Sequence, residues 1–91
     1  MSVDKVEYSK HINLGSGKDY KPLALNIDID ESWNPDITAD ISKETWLPKG
    51  YFSSITAMDV LEHIPDLVGA MKNCLDLLEE GGFMLVQVPY D

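Results

Sequence analysis

HINLGSGKDY, His11 to Tyr20, is the stretch on which the reading of this chain turns. Ile12 and Leu14 have the character of a short buried strand, and Gly15, Ser16 and Gly17 follow at once. A strand that runs into a glycine turn is how an α/β sheet opens a nucleotide pocket at the carboxyl ends of its strands. Gly15 can turn sharply because it lacks a Cβ, and Gly17 lets the backbone come close to a ligand. A glycine pair after a strand is also the mark of a plain turn, so the rest of the chain has to decide.

Downstream, LALNIDID (Leu23 to Asp30) alternates Leu23, Leu25, Ile27 and Ile29 with Ala24, Asn26, Asp28 and Asp30, the period of a half-exposed strand. Its carboxylates are either solvated or, for Asp28 or Asp30 at the strand's carboxyl end, placed to accept two hydrogen bonds from a ribose diol. SWNPD is a turn. ITADI (Ile37 to Ile41) is a third short strand with Asp40 near its end. Residues 42–53 read as an irregular connection with a helical turn near Lys43 to Trp46, and Trp46 and Phe52 as packing residues. SITAM (Ser54 to Met58) is the fourth strand. A short helix capped by Asp59 follows and is broken by Pro65. Asp66 caps the longest helix, expected over Leu67 to Glu80, with Leu67, Met71, Cys74, Leu75 and Leu78 as its apolar stripe. Cys74 on that stripe is a small core residue. Gly81 and Gly82 end the helix. FMLVQV (Phe83 to Val88) is an apolar run of the kind found in a parallel strand covered on both faces. Upstream, residues 1–10 lack a clean period and are expected to form a tail before a domain spanning 11–91. Pattern alone leaves the first two strands open to a hairpin, because their connection is shorter than the dozen or so residues usual for a parallel crossover.

At 91 residues the chain is one domain at most. A hydrophobic content of 44% suits a globular core, and a net charge of −9 disfavours phosphate backbones and anionic membranes as partners. The single cysteine excludes an internal disulfide. No apolar run reaches the ~18 residues of a membrane span, and the acidic N-terminus is unlike a signal peptide, so a cytoplasmic protein is expected. Asp59, Glu62 and His63 stand at i, i+3 and i+4, where carboxylate, carboxylate and imidazole could hold a divalent metal on one helical face. His63 is otherwise a candidate general base, or with Glu62 a capping residue.

Read together, the motifs resemble those of the class I methyltransferases that use S-adenosylmethionine (SAM). INLGSG resembles the glycine motif after the first strand, LNIDID the acidic motif closing the second, and ITADI the third-strand motif with its aspartate. AMDVLEHIPD resembles the fourth-strand signature, and LLEEGGFMLVQVP the helix, Gly-Gly turn and fifth strand. The resemblance runs from about His11 to Pro89. It implies a Rossmann-like α/β fold, a mostly parallel sheet in the order 3-2-1-4-5, with few helices and without the last two strands of the full fold. It implies SAM as cofactor, and the net charge of −9 makes a small-molecule acceptor the expectation over nucleic acid. Acidic–acidic–histidine spacing in the same place is similar to some methyltransferases of quinone biosynthesis and small-RNA 2′-O-methylation.

Carried over by position, the resemblance puts Asn13, Gly15, Ser16 and Gly17 among the cofactor contacts, with Gly15 and Gly17 letting the backbone approach the methionine part of SAM. It puts Asp28 at the ribose, with Ile29 beside it and Asp30 as the alternative. It puts Asp40 at the adenine amino group with the Ile41 backbone beside the ring, and Met58 near the sulfonium, with Asp59 as a further cofactor contact. Asn13 stands where an acid is frequent and Asp19 where a third glycine is usual, and the loop to Pro22 is too short for the customary first helix, which implies a more open pocket. Family members continue past the fifth strand, so an apolar sheet face is expected to be exposed here and covered by self-association or by further chain. A fragment that binds SAM, S-adenosylhomocysteine or a partner without turnover is the second reading. Half of a nicotinamide-dependent oxidoreductase is the third, and it leaves ITADI and VLEHIPD unexplained.

Overall fold

The computed structural model describes residues 8–43, 45–58 and 60–87, with Glu62 described by its backbone alone. Five strands form one sheet: β1 (His11–Leu14), β2 (Leu25–Asp28), β3 (Ile37–Thr38), β4 (Phe52–Met58) and β5 (Leu78–Gln87). Their order is β3-β2-β1-β4-β5 and every pairing is parallel. This is the Rossmann-like α/β sheet that the motifs imply, and it removes the hairpin alternative for β1 and β2.

The two faces of the sheet differ in chemistry. Register places Ile12 beside both Leu25 and Ile55, Leu14 beside both Ile27 and Ala57, and Ile55 beside Met84. Residues that pair across parallel strands share a face, so these form one apolar surface. The α-helix α1 (Leu67–Leu77) brings Ala70, Cys74 and Leu77 to the same buried core, with Ile41, Leu47 and Leu61. Each fully buried aliphatic side chain there contributes about 1.5–3 kcal/mol relative to exposure. The other face carries His11, Asn13, Asn26, Ser54 and Thr56. Toward β5 this face becomes apolar and open, with Phe83 62% and Leu85 55% exposed. The fifth strand is therefore not covered on both faces, contrary to what its unbroken apolar run suggests.

Helix α1 starts where expected. The Asp66 carboxylate accepts the Gly69 N–H at 3.0 Å, satisfying one of the orphan donors of the first turn. It ends three residues early, at Leu77 rather than Glu80. Gly50 and Tyr51 donate their N–H groups to the carbonyls of Asp76 (2.8 Å) and Leu77 (3.0 Å), which closes the helix from outside. Gly81 (φ 85°) then serves an irregularity inside β5, where the register shifts between Phe52 and Ser54. The buried stripe is Ala70, Cys74 and Leu77, and Leu67 and Leu75 face outward. Cys74 is buried as expected, and burial pushes its thiol up to about 11, so it stays a neutral core group.

Other boundaries also move. β2 is only Leu25–Asp28, because Leu23 is 90% exposed and Ile29 leaves the sheet. β3 stops at Thr38, and β4 starts two residues early at Phe52. Phe52 is fully buried, but Trp46 is 70% exposed, touching the Tyr8 ring at 6.1 Å between centroids. Tyr8, Ser9 and Lys10, within the expected tail, are tied to the body. The Tyr51 hydroxyl donates to the Tyr8 carbonyl, Ser9 Oγ to the Leu23 carbonyl, and the Ser53 N–H to the Lys10 carbonyl. The expected end of the fifth strand at Val88 lies outside the described residues.

Candidate active site

The chain leaves β1 at Leu14 and returns to β2 at Leu25 without a helix. Backbone and side-chain hydrogen bonds fix the intervening glycine loop. Gly15 and Ser16 donate to the Ile27 carbonyl at 2.7 and 3.3 Å. The Gly17 N–H donates to Asp28 Oδ2 at 2.8 Å, and Asn13 Nδ2 donates to the Asp19 carbonyl at 2.8 Å. Gly15 (φ 66°) and Gly17 (φ 44°) occupy the left-handed region, which glycine enters without steric cost. A Cβ on Gly15 would also collide with the Val60 side chain. The space a Gly15 Cβ would take is thus filled by Val60.

At the carboxyl ends of the strands lies a cleft of about 120 Å³. Leu14 and Gly15 come from the end of β1, Ile27, Asp28 and Ile29 from β2, and Ala39, Asp40 and Ile41 from beyond β3. Val60, His63, Ile64 and Pro65, after β4, close the opposite wall. Chain order reverses direction between β1 and β4, and ligands of open α/β sheets bind outside the strand ends at such a switch point.

Two carboxylates face this cleft. Asp28 Oδ2 accepts from Gly17 and Oδ1 from the Asp30 N–H at 2.9 Å. Each oxygen keeps acceptor capacity, since a carboxylate has about four lone-pair sites. Asp40 Oδ1 accepts from the Ser42 hydroxyl at 2.7 Å and its N–H at 3.0 Å. Those bonds, side chain first, hold the Asp40 carboxyl below the usual carboxylate range. Asp40 is therefore an acceptor only at neutral pH, and its Oδ2 has no hydrogen-bond partner among the described residues.

Of the residues expected to bind cofactor, the cleft brings together Gly15, Asp28, Ile29, Asp40 and Ile41, with the candidate base His63. The remaining described ones do not line it. Asn13 lies on the polar face and spends its amide on the Asp19 carbonyl and on Asn26 Oδ1. Ser16 is sealed beneath the loop, and its Oγ is buried without a partner among the described residues. Gly17 directs its N–H to Asp28. Asp30 is the cap of the short 3-10 turn Glu31–Trp33, accepting from the Ser32 N–H at 2.9 Å and its hydroxyl at 2.7 Å. Strand alternation puts Met58 on the polar face, beside Gln87. Asp59 lies outside the described residues. Leu61–His63 is a 3-10 turn with Val60 at its N-cap, so the short helix expected over Val60 to His63 is a single 3-10 turn, and its expected Asp59 cap lies outside the described residues. The metal-ligand expectation on Asp59, Glu62 and His63 includes two side chains that lie outside the described residues. Among the described residues no cluster of three His, Cys, Asp or Glu side chains could hold a metal. Val60, Ile64 and Pro65 are wall residues that sequence reasoning passed over as a helix and its breaker.

Acceptors for hydroxyl and amino donors stand on otherwise aliphatic walls, as specific small-molecule sites require. The volume is below the ~300 Å³ at which enclosed ligand pockets begin, so a ligand of nucleoside size would lie partly across the open strand ends. Sheet order and cleft position define an α/β protein with a cleft at its switch point that two carboxylates, Asp28 and Asp40, line. A family model described as a methyltransferase domain matches residues 4–91. The chain belongs to that methyltransferase domain family, in agreement with the class I motifs read along the sequence.

Proposed function

We propose that this domain binds SAM and serves methyl transfer to a small-molecule acceptor. The observation that carries the reading is one cleft, at the carboxyl end of a 3-2-1-4-5 parallel sheet, in which Asp28 and Asp40 stand on aliphatic walls. When bound, SAM supplies a methyl group already activated on a sulfonium, so the protein's work is alignment more than acid–base chemistry. Asp28 accepts the ribose hydroxyls and Asp40 the adenine amino group. Ile29, Ile41 and Ile64 exclude water from the base. Where the acceptor nucleophile carries a proton, His63 takes it at a ring nitrogen. The net charge of −9 favours a neutral or cationic acceptor over nucleic acid. Among the described residues no helix is long and apolar enough to cross a membrane.

Calorimetric titration with S-adenosylhomocysteine, with NAD in a parallel cell, tests this. Saturable binding of the former alone is expected, with Asp28→Ala weakening it at least ~10-fold, the loss of a charge-assisted hydrogen bond. Binding of NAD alone, or of neither by a folded chain, sinks the reading. His63→Gln is expected to leave that affinity unchanged and to lower turnover by about 10²-fold or more for an acceptor that must lose a proton.

A further inference from the structure

Asn26 is fully buried on the polar face and hydrogen-bonded through its backbone and both side-chain polar atoms. Its Oδ1 accepts from Asn13 Nδ2 and from the Lys21 N–H, both at 2.9 Å. Its Nδ2 is shared among the Lys21 carbonyl (2.8 Å), the Ala24 carbonyl (3.0 Å) and Asp36 Oδ2 (3.0 Å). Its backbone N–H donates to the same Asp36 oxygen at 2.8 Å. The Tyr20 hydroxyl donates to the other oxygen, Asp36 Oδ1, at 2.6 Å. One side chain therefore joins β1, β2, the far arm of the glycine loop and the residue that opens β3.

We propose that Asn26, clamped by Asp36 and Tyr20, is the positioning device of the glycine loop, doing for the β1–β2 crossover what a packed helix does elsewhere. A short loop without a helix has no apolar stripe with which to hold its shape, so its conformation must be fixed by hydrogen bonds. Both arms are so fixed. The near arm is held by the Ile27 carbonyl and Asp28, and the far arm by Asn13 and Asn26. Loosening the far arm frees Gly17 from Asp28, and with it the carboxylate assigned to the ribose. The inference rests on the proposed cofactor reading only for what the loop receives.

Asp36→Ala and Tyr20→Phe test it. Both positions are exposed, and Tyr20→Phe removes a single hydroxyl. Amide hydrogen exchange at Lys21 and Gly17 is followed by NMR, alongside titration with S-adenosylhomocysteine, at a temperature where circular dichroism finds each variant folded. Asp36→Ala is expected to speed exchange at Lys21 and Gly17 and to weaken binding, each about 10-fold, and Tyr20→Phe about 3-fold. A role in stability alone lowers the unfolding midpoint but leaves affinity unchanged while the chain is folded, because apparent affinity then scales only with the competent fraction. Unchanged exchange in both variants overturns the proposal, as does faster exchange with unaltered affinity. If the wild-type chain binds no S-adenosylhomocysteine yet exchange still accelerates, the cofactor reading fails and the clamp stands. If Asp36→Ala does not fold, Tyr20→Phe decides.

Discussion

The β4–α1–β5 crossover and the β1–β2 crossover return the chain to a parallel neighbour with opposite materials. The first uses a helix whose Ala70, Cys74 and Leu77 press on one apolar sheet face. The second uses residues 15–24, no helix, and a polar lattice centred on Asn26 on the other face. Apolar packing tolerates local adjustment, whereas a buried polar lattice works only when every member is satisfied. The difference sorts the two halves by task. The packed half holds the fold together, and the bonded half sets the geometry of the loop beside the cleft.

That division is broken most directly by removing the largest buried side chain of the packed half. Phe52 is fully buried at the start of β4 and meets the Tyr51 ring edge-on, with centroids 5.0 Å apart. Phe52→Ala is expected to cost about 3–5 kcal/mol in urea denaturation, enough to unfold a small domain or nearly so. A loss below about 1 kcal/mol would show that stability resides elsewhere. The matching change in the bonded half is Asn26→Ala. It strands the Lys21 N–H, leaves the Asn13 amide with the Asp19 carbonyl alone, and empties a buried site, for an expected loss of about 2–3 kcal/mol. If Asn26→Ala proved costlier than Phe52→Ala, the polar lattice rather than the core would be the main support.

The same contrast governs what could be read from the sequence. The strands and α1 with its Asp66 cap were legible because hydrophobic period and capping chemistry are local signals, whereas strand order and parallel pairing came only with the family resemblance, since pattern alone allowed a hairpin between β1 and β2. The cleft residues Gly15, Asp28 and Asp40 were legible because strand ends are. Asn26 was read as an outward residue of an alternating strand. Alternation does place it opposite Leu25 and Ile27, but whether that face is wet depends on a loop folding over it, and no local pattern encodes that. The missed helix end at Leu77 has the same origin. It is set by Gly50 and Tyr51, which arrive from far along the chain.

A smaller effect sharpens the packed side. Asp66→Ala removes the bond to the Gly69 N–H and is expected to cost about 1 kcal/mol, read as a lower urea midpoint with unchanged slope. A change in slope would instead mean that α1 separates from the sheet before the rest unfolds, and that the two halves are not one cooperative unit.

The smallest expected effect probes the bonded side through pH. Burial acts to raise the Asp36 carboxyl, but the hydrogen bonds from the Tyr20 hydroxyl and from the Asn26 backbone and side-chain amides outweigh it, and the group sits below its ordinary value of 3.8. Folding therefore binds the ionised form better. The resulting stability is fully present above pH 3.8, and it is lost as pH falls through the lower folded value. Asp36 is largely solvent-exposed, so the contribution is below about 1 kcal/mol. Comparing wild type with Asp36→Asn by denaturant midpoint at neutral pH and again below pH 3.8 isolates it. The gap between the two proteins is expected to narrow on acidification. A residual acid sensitivity is expected in the variant, because Asp30 and Asp40, each bonded by a serine two residues on, are lowered in the same direction. A gap that stays constant would mean that Asn26 is held equally well by a neutral amide at position 36. The clamp would then depend on shape and bond count rather than on charge.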